Sequence, residues 1–203
     1  MPGSMMQPDL SVLAGDTGVR ADALARWQDG GWPGPRVEAW RFTRVDQLAD
    51  RDLVRADALT GDAAGPGAAA AASMGAHIIR FENGVLDTGC LDGLPDGVTA
   101  REIATDETAL QRLAELAPNG HPVSDLSMAA MTGGIVIEVS GAVAAPLMLL
   151  FEGDDRAASA HPAILVRLAA GAKLQLAEWH QSSVGLSAPL IGHDIGAGAR
   201  LEQ

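Results

Sequence analysis

Five histidines, one cysteine and one lysine are the residues from which catalysis or metal binding would most readily be built in this chain. His77, His121, His161, His180 and His193 are scattered along it. No two stand in an H-x-H, H-x-x-x-H or H-E-x-x-H spacing, which would set two ligands on one strand or helix face. His161, His180 and His193 fall in a strand-rich segment, where stacking could bring two of them together with Glu178. The ordinary reading is that they are turn and edge histidines. Cys90 lies in DTGCLDGLPDG, without a C-x-x-C partner and among acidic neighbours, which raise a thiol's pKa and leave it unreactive. No G-x-S-x-G elbow and no G-x-x-x-x-G-K-[ST] loop occurs. Lys173, the lone lysine, sits at a glycine-marked corner and is expected to be solvated. No residue is therefore assigned a catalytic, cofactor-binding or metal-binding role, and the chain is expected to be non-enzymatic.

The bulk properties narrow the field further. Net charge is −12 over 203 residues, which opposes binding to nucleic acid or to an anionic membrane. The charge is uneven. Residues 1–60 carry seven Arg against nine acids, and residues 61–203 carry the remaining seven bases against 17 acids. A single cysteine excludes an internal disulfide and fits a reducing compartment. No apolar run reaches the roughly 18 residues that a membrane span needs, and no signal-peptide pattern is visible. A cytoplasmic location is expected. Met1-Pro2-Gly3-Ser4-Met5 reads as an appended leader.

Hydrophobic periodicity then supplies the elements that would position these side chains. Val19, Ala23, Leu24 and Trp27 predict a helix with Asp16 and Thr17 as its cap, and residues 45–59 have helical spacing. Residues 61–76, GDAAGPGAAAAASMGA, lack large side chains and read as a linker, with a short Ala-rich helix as the alternative. HIIRFENGVLD, 77–87, predicts a hairpin around Asn83-Gly84. A strand at 98–103, a helix capped by Thr105 and ending near Ala117, and a helix at 124–131 follow. From Gly134 onward short apolar strands succeed one another at 135–139, 146–152, 163–168, 173–179 and 188–195, with no room for crossover helices.

The triplets Gly141-Ala142-Val143, Gly171-Ala172-Lys173 and Gly198-Ala199-Arg200 recur between these strands, which points to stacked repeats turning at glycine corners. A parallel β-helix fits this texture best, and a plain β-sandwich is the competitor. The predicted fold is α+β: a helical N-terminal region (1–60), a linker (61–76), a mixed hairpin and helix region (77–133), and the first rungs of a right-handed parallel β-helix (134–203). Its last rung would be bare, so self-association through that β edge is expected.

Two stretches carry a family resemblance. Pro35-Arg36-Val37-Glu38-Ala39-Trp40-Arg41-Phe42-Thr43 resembles the R-x-E-A-W-R-Y-T signature of the SufD family, subunits of the SufBCD iron–sulfur assembly complex, with Phe42 in place of the usual Tyr. The segment from Ala117 to Val139 is similar to a second family stretch, with Ser127, Met128 and Gly133 as departures. The resemblance, in family order, extends over roughly 20–203. It implies a helical front, a right-handed parallel β-helix, and a scaffold role beside a SufB-like partner and a SufC-like ATPase. The cluster would be handled by the full complex, with no cofactor bound by this chain. It also implies that the ATPase-docking and cluster-proximal residues lie beyond Gln203, so this chain would be the front part of a longer protein. Trp40 and Arg41 are then structural, an indole packed on a helix and a guanidinium paired with an acid. The other readings are a β-helix enzyme acting on acyl or sugar substrates and a cupin-like metal protein.

Overall fold

Alternation of apolar side chains along short strands determines the architecture, because each strand has one face to bury and neighbours of the same pattern to bury it with. A computed structural model describes residues 18–43, 45–50, 65–118, 120–154, 159–181 and 185–203. Within these the chain is α+β, with four α-helices and eleven strands in parallel and mixed sheets.

The helices are α1 Val19–Gly30, α2 Pro66–Met74, α3 Glu107–Leu116 and α4 Pro122–Ala129. The strands are β1 His77–Glu82, β2 Val85–Leu86, β3 Val98–Glu102, β4 Gly133–Val139, β5 Leu147–Glu152, β6 Ser159–Ala160, β7 Pro162–Leu168, β8 Lys173–Gln181, β9 Leu186–Ser187, β10 Leu190–Ile195 and β11 Arg200–Glu202. One sheet runs β11-β8-β5-β1-β2, a second runs β10-β7-β4-β3, and β6 pairs with β9.

From β4 onward successive long strands alternate between the two large sheets. Each returns beside its predecessor in parallel. Leu147 pairs with Leu176, 29 residues on, and Ala163 with Leu190, 27 residues on. The corners between sheets are the glycine triplets that the sequence marks. Gly141, Gly171 and Gly198 all have φ near +70°, a left-handed conformation that glycine adopts without a Cβ penalty. The corners also stack on one another, since Lys173 N donates to the Gly141 carbonyl and Arg200 N to that of Ala172, each at 2.8 Å. The pairings β4–β7–β10 and β5–β8–β11 are all parallel, which removes a plain antiparallel sandwich.

The main core lies between the sheets. Ile79, Phe81, Leu147, Leu149, Phe151, Leu174 and Leu176 of the first meet Ile135, Ile137, Val139, Ile164, Val166 and Leu168 of the second. The opposite face of the second sheet offers Val136, Ala163, Leu165 and Leu190 to the helices, which bring Val19 and Ala23 from α1, Leu110 and Leu113 from α3, and Met128 from α4. Arg112 on α3 fastens this layer by donating to both carboxylate oxygens of Asp194 on β10, at 3.0 and 2.9 Å. These bonds are the main reason the Asp194 carboxyl lies below its ordinary range.

The structure departs from the sequence reading in several places. The stretch expected to be a linker contains α2. Pro66 supplies a first-turn residue that needs no amide partner, the alanines favour helix, and Gly75 closes it in the left-handed conformation. Gly67 lies so close to Leu150 and Trp179 that a Cβ would overlap them, so α2 is seated on the outer face of the first sheet. The strand layers also begin before Gly134. β1 joins β5 in parallel and β3 joins β4 antiparallel, so residues on both sides of that boundary share sheets and core. The cap of α3 is Asp106 rather than Thr105; its carboxylate accepts from Ala109 N at 2.9 Å. At 45–50 the chain forms a 3-10 helix, and the rest of the helix expected to 59 lies outside the described residues. So do Asp16 and Thr17, and Gly18, the residue before α1, gives no side-chain cap.

Candidate functional site

On the inner face of the first sheet the side chains stack by register. Leu147 is followed by Leu176, but Leu149 is followed by Glu178 and Phe151 by His180. In the second sheet Ile137 and Val166 are followed by His193. The aliphatic interior therefore becomes ionisable at one end, where three of the polar residues singled out from the sequence share the face between the sheets.

Two of them are in direct contact. His180 Nε2 lies 3.1 Å from Glu178 Oε2, and the imidazole stacks on Phe151 with centroids 4.7 Å apart. Phe151 stacks in turn on Phe81 at 5.5 Å, so the ring column has His180 as its last member. Glu178 also accepts from Gln203 Nε2 at 3.0 Å. His193 is half-buried, and its Nε2 is buried without a hydrogen-bond partner. Burial is the main cause of its lowered pKa, opposed by the charge of Glu178. The grouping provides a carboxylate, a paired imidazole and a neutral imidazole, but no nucleophile hydrogen-bonded to either ring among the described residues. Among those residues no three His, Cys, Asp or Glu side chains converge as metal ligands.

His161 belongs elsewhere. It is buried, with Nε2 2.7 Å from Ser159 Oγ and Nδ1 3.4 Å from Ser127 Oγ, while its amide donates to Thr132 Oγ1 at 3.0 Å. Ser127 Oγ donates to the Ala188 carbonyl at 2.9 Å, so the network ties α4 to two strand connections. His77 is 2.7 Å from the Cys90 carbonyl. His121 caps α4, accepting from Ser124 N at 3.3 Å. The Cys90 thiol is raised above its ordinary pKa by burial first and by the Asp87 charge after it, and it donates to the Asp87 carbonyl at 2.7 Å. A protonated, hydrogen-bonded thiol of this kind is a poor nucleophile. Lys173 is exposed at the start of β8.

No family model and no curated protein matches this chain.

Sequence reasoning passed over the most concentrated charge among the described residues. Arg80 on β1 is buried, with Nε 2.7 Å from Glu152, Nη2 3.1 Å from Glu82 and Nη1 3.7 Å from Asp87. Its signal was an Arg and a Glu at alternate positions of an otherwise apolar strand, HIIRFE. Side chains at this spacing share a face, and a charged pair on it requires burial with partners or exposure to water.

The lowered pKa of His193 has a consequence for stability. Unfolding returns the ring to an ordinary value of about 6.5, so the unfolded chain takes up the proton first as pH falls. The stability contributed by the neutral ring is present above that value and lost as pH drops toward the lowered one. His193→Val, which continues the Ile137–Val166 column, should raise the urea midpoint at about pH 5.5 more than at about pH 7.5. Equal shifts at both pH values would contradict the assignment.

Proposed function

We propose that this chain is a non-enzymatic scaffold subunit of cytoplasmic iron–sulfur cluster assembly, acting with a SufB-like partner and a SufC-like ATPase. The observation that carries the reading is the return of strands every 27 to 29 residues through glycine corners, each parallel to its predecessor in one of two sheets behind a helical front. In this reading the coil is the first part of a right-handed parallel β-helix. The R-V-E-A-W-R-F-T stretch before it supports the same assignment, because it precedes such strands in the family that the sequence resembles.

The environment of that stretch agrees with a structural use of Trp40 and Arg41. Trp40 lies 5.1 Å from the His121 ring at the start of α4, and Arg41 pairs with Glu38 at 3.4 Å. The exposed end of the coil, with Glu178 and His180, suits a surface held against another subunit.

Co-expression of the full-length gene product with SufB-like and SufC-like subunits tests the proposal. The expected result is a complex that copurifies through size exclusion, together with an isolated chain that neither hydrolyses ATP nor carries stoichiometric metal. ATP turnover by the chain alone, or failure of the full-length gene product to join the other two subunits, overturns it. Stoichiometric metal lost on Glu178→Gln would instead favour the cupin-like reading.

A further inference from the structure

Helix α2 is held to the rest of the molecule by very little. Of its nine residues only Gly67 and Ala71 are buried, and neither has a side chain larger than a methyl group. Met74, its longest side chain, is 49% exposed. Ser73 donates to the Ala70 carbonyl inside the helix at 2.7 Å. Among the described residues no α2 side chain hydrogen-bonds or pairs with another element. Both flanking residues are glycines at positive φ, Gly65 at 93° and Gly75 at 64°, so each end is a ready hinge.

A helix of this length does not persist in water by itself, because the first hydrogen bond fixes several residues at once. Alanine and glycine bury little apolar surface to offset that cost. Folding of α2 and its docking on the sheet are therefore one event. What it covers is the opposite in character. Leu150 on β5 is fully buried, and Trp179 stands beside it in register on β8. A Cβ on Gly67 would overlap Leu150 Cδ1 and come within 2.9 Å of Trp179 Cδ1. The backbone of α2 itself is thus the cover over this apolar strip.

We infer that α2 is a detachable lid, which opens about Gly65 and Gly75, melts as it opens, and bares Leu150 and Trp179 while both sheets stay folded. The strands beneath do not need it. β5 is paired in parallel with β1 on one side and β8 on the other along its whole length, and its inner face lies in the main core. The lid does not depend on the scaffold reading.

Hydrogen exchange of the intact chain tests the lid. Amides of Ala69 to Ala72 should exchange on the order of 100-fold faster or more than those of Leu149 to Phe151, and low urea should change their rate little, as for a local opening. Gly67→Ala should speed α2 exchange about tenfold or more through the overlap at the seat, and leave β5 unchanged. Hydroxyl-radical labelling of Trp179 should rise in the same variant. Ala72→Gly, at an exposed position away from the seat, should speed α2 exchange about fivefold through lost helix propensity alone. Amides of α2 that exchange as slowly as those of β5, with the same urea dependence, overturn the inference. So does Gly67→Ala that speeds β5 equally or leaves Trp179 labelling unchanged. An Ala72→Gly chain with unaltered α2 exchange overturns it too, because the released helix would then remain folded.

Discussion

Replacing Arg80 by Met should destabilise the fold by about 3–5 kcal/mol, the range for removing one member of a buried ion cluster. Arg80 is only 4% exposed and Glu82 likewise, and Glu152 lies in the register position opposite Glu82 on β5. The guanidinium reaches both carboxylates and Asp87 together. Burial by itself would lower the Arg80 pKa, but the hydrogen bond and charge of Glu152, with Glu82 and Asp87, outweigh it and hold the pKa above its ordinary value. Removing the guanidinium takes away the cation that reaches both Glu82 and Glu152, two buried acids at opposite register positions. Against a total stability of about 5–15 kcal/mol, that is a large share.

The cause is the loss of the positive charge and not the lost contact, and this separates the explanation from one based on packing. Arg80→Met with Glu82→Gln and Glu152→Gln should regain much of the loss, because the remaining groups are neutral and can hydrogen-bond. Urea unfolding followed by circular dichroism measures both. An Arg80→Met variant within about 1 kcal/mol of the parent would place this cluster with ordinary surface pairs.

The elements were most legible where local chemistry dictates a backbone conformation. Asn83-Gly84 announces its turn, and the structure has both residues at positive φ, 49° and 84°. The repeated glycine triplets announce three corners, each found in the left-handed conformation. Strand alternation gave β4, β5, β7, β8 and β10 within a few residues. Pairing was less legible, because it depends on residues distant in sequence. Nothing local in HIIRFE says that it will lie parallel to LMLLFE, and that pairing moves the start of the strand layers from Gly134 back to His77. Low complexity concealed α2 for a related reason. An alanine run carries no amphipathic signal, and its seat is made by Leu150 and Trp179, far along the chain. The site was legible only in part. Glu178 and His180 were reachable from their spacing of two on a strand, which puts them on one face. His193 reaches the same interior through register in the other sheet, and His161 leaves the group because Ser127 and Ser159 hold it elsewhere.

Gly84→Ala should cost about 3 kcal/mol, far more than Gly93→Ala, although both glycines have left-handed φ, 84° and 70°. At Gly93 an added Cβ meets nothing, so the substitution carries only the conformational penalty of an L-residue in this region, about 1 kcal/mol. At Gly84 the same atom would overlap Thr132 Oγ1 and come within 3.0 Å of the Ala160 Cα and Cβ. Thr132 cannot simply turn aside. Its hydroxyl donates to the Gly84 carbonyl at 3.0 Å and accepts from His161 N at 3.0 Å, so moving it leaves two buried backbone groups without partners. Ala160 cannot retreat freely either, since β6 is held to β9 and the Ala160 carbonyl accepts from Ala188 N at 2.9 Å. The hairpin tip is thus the point where the turn after β1 meets the connection into β7, and a single methyl group must separate them. Urea midpoints of the two variants measured side by side give the difference directly. Equal losses would mean that the turn conformation alone sets the cost and that the Thr132–His161 contact contributes nothing to holding the layers together.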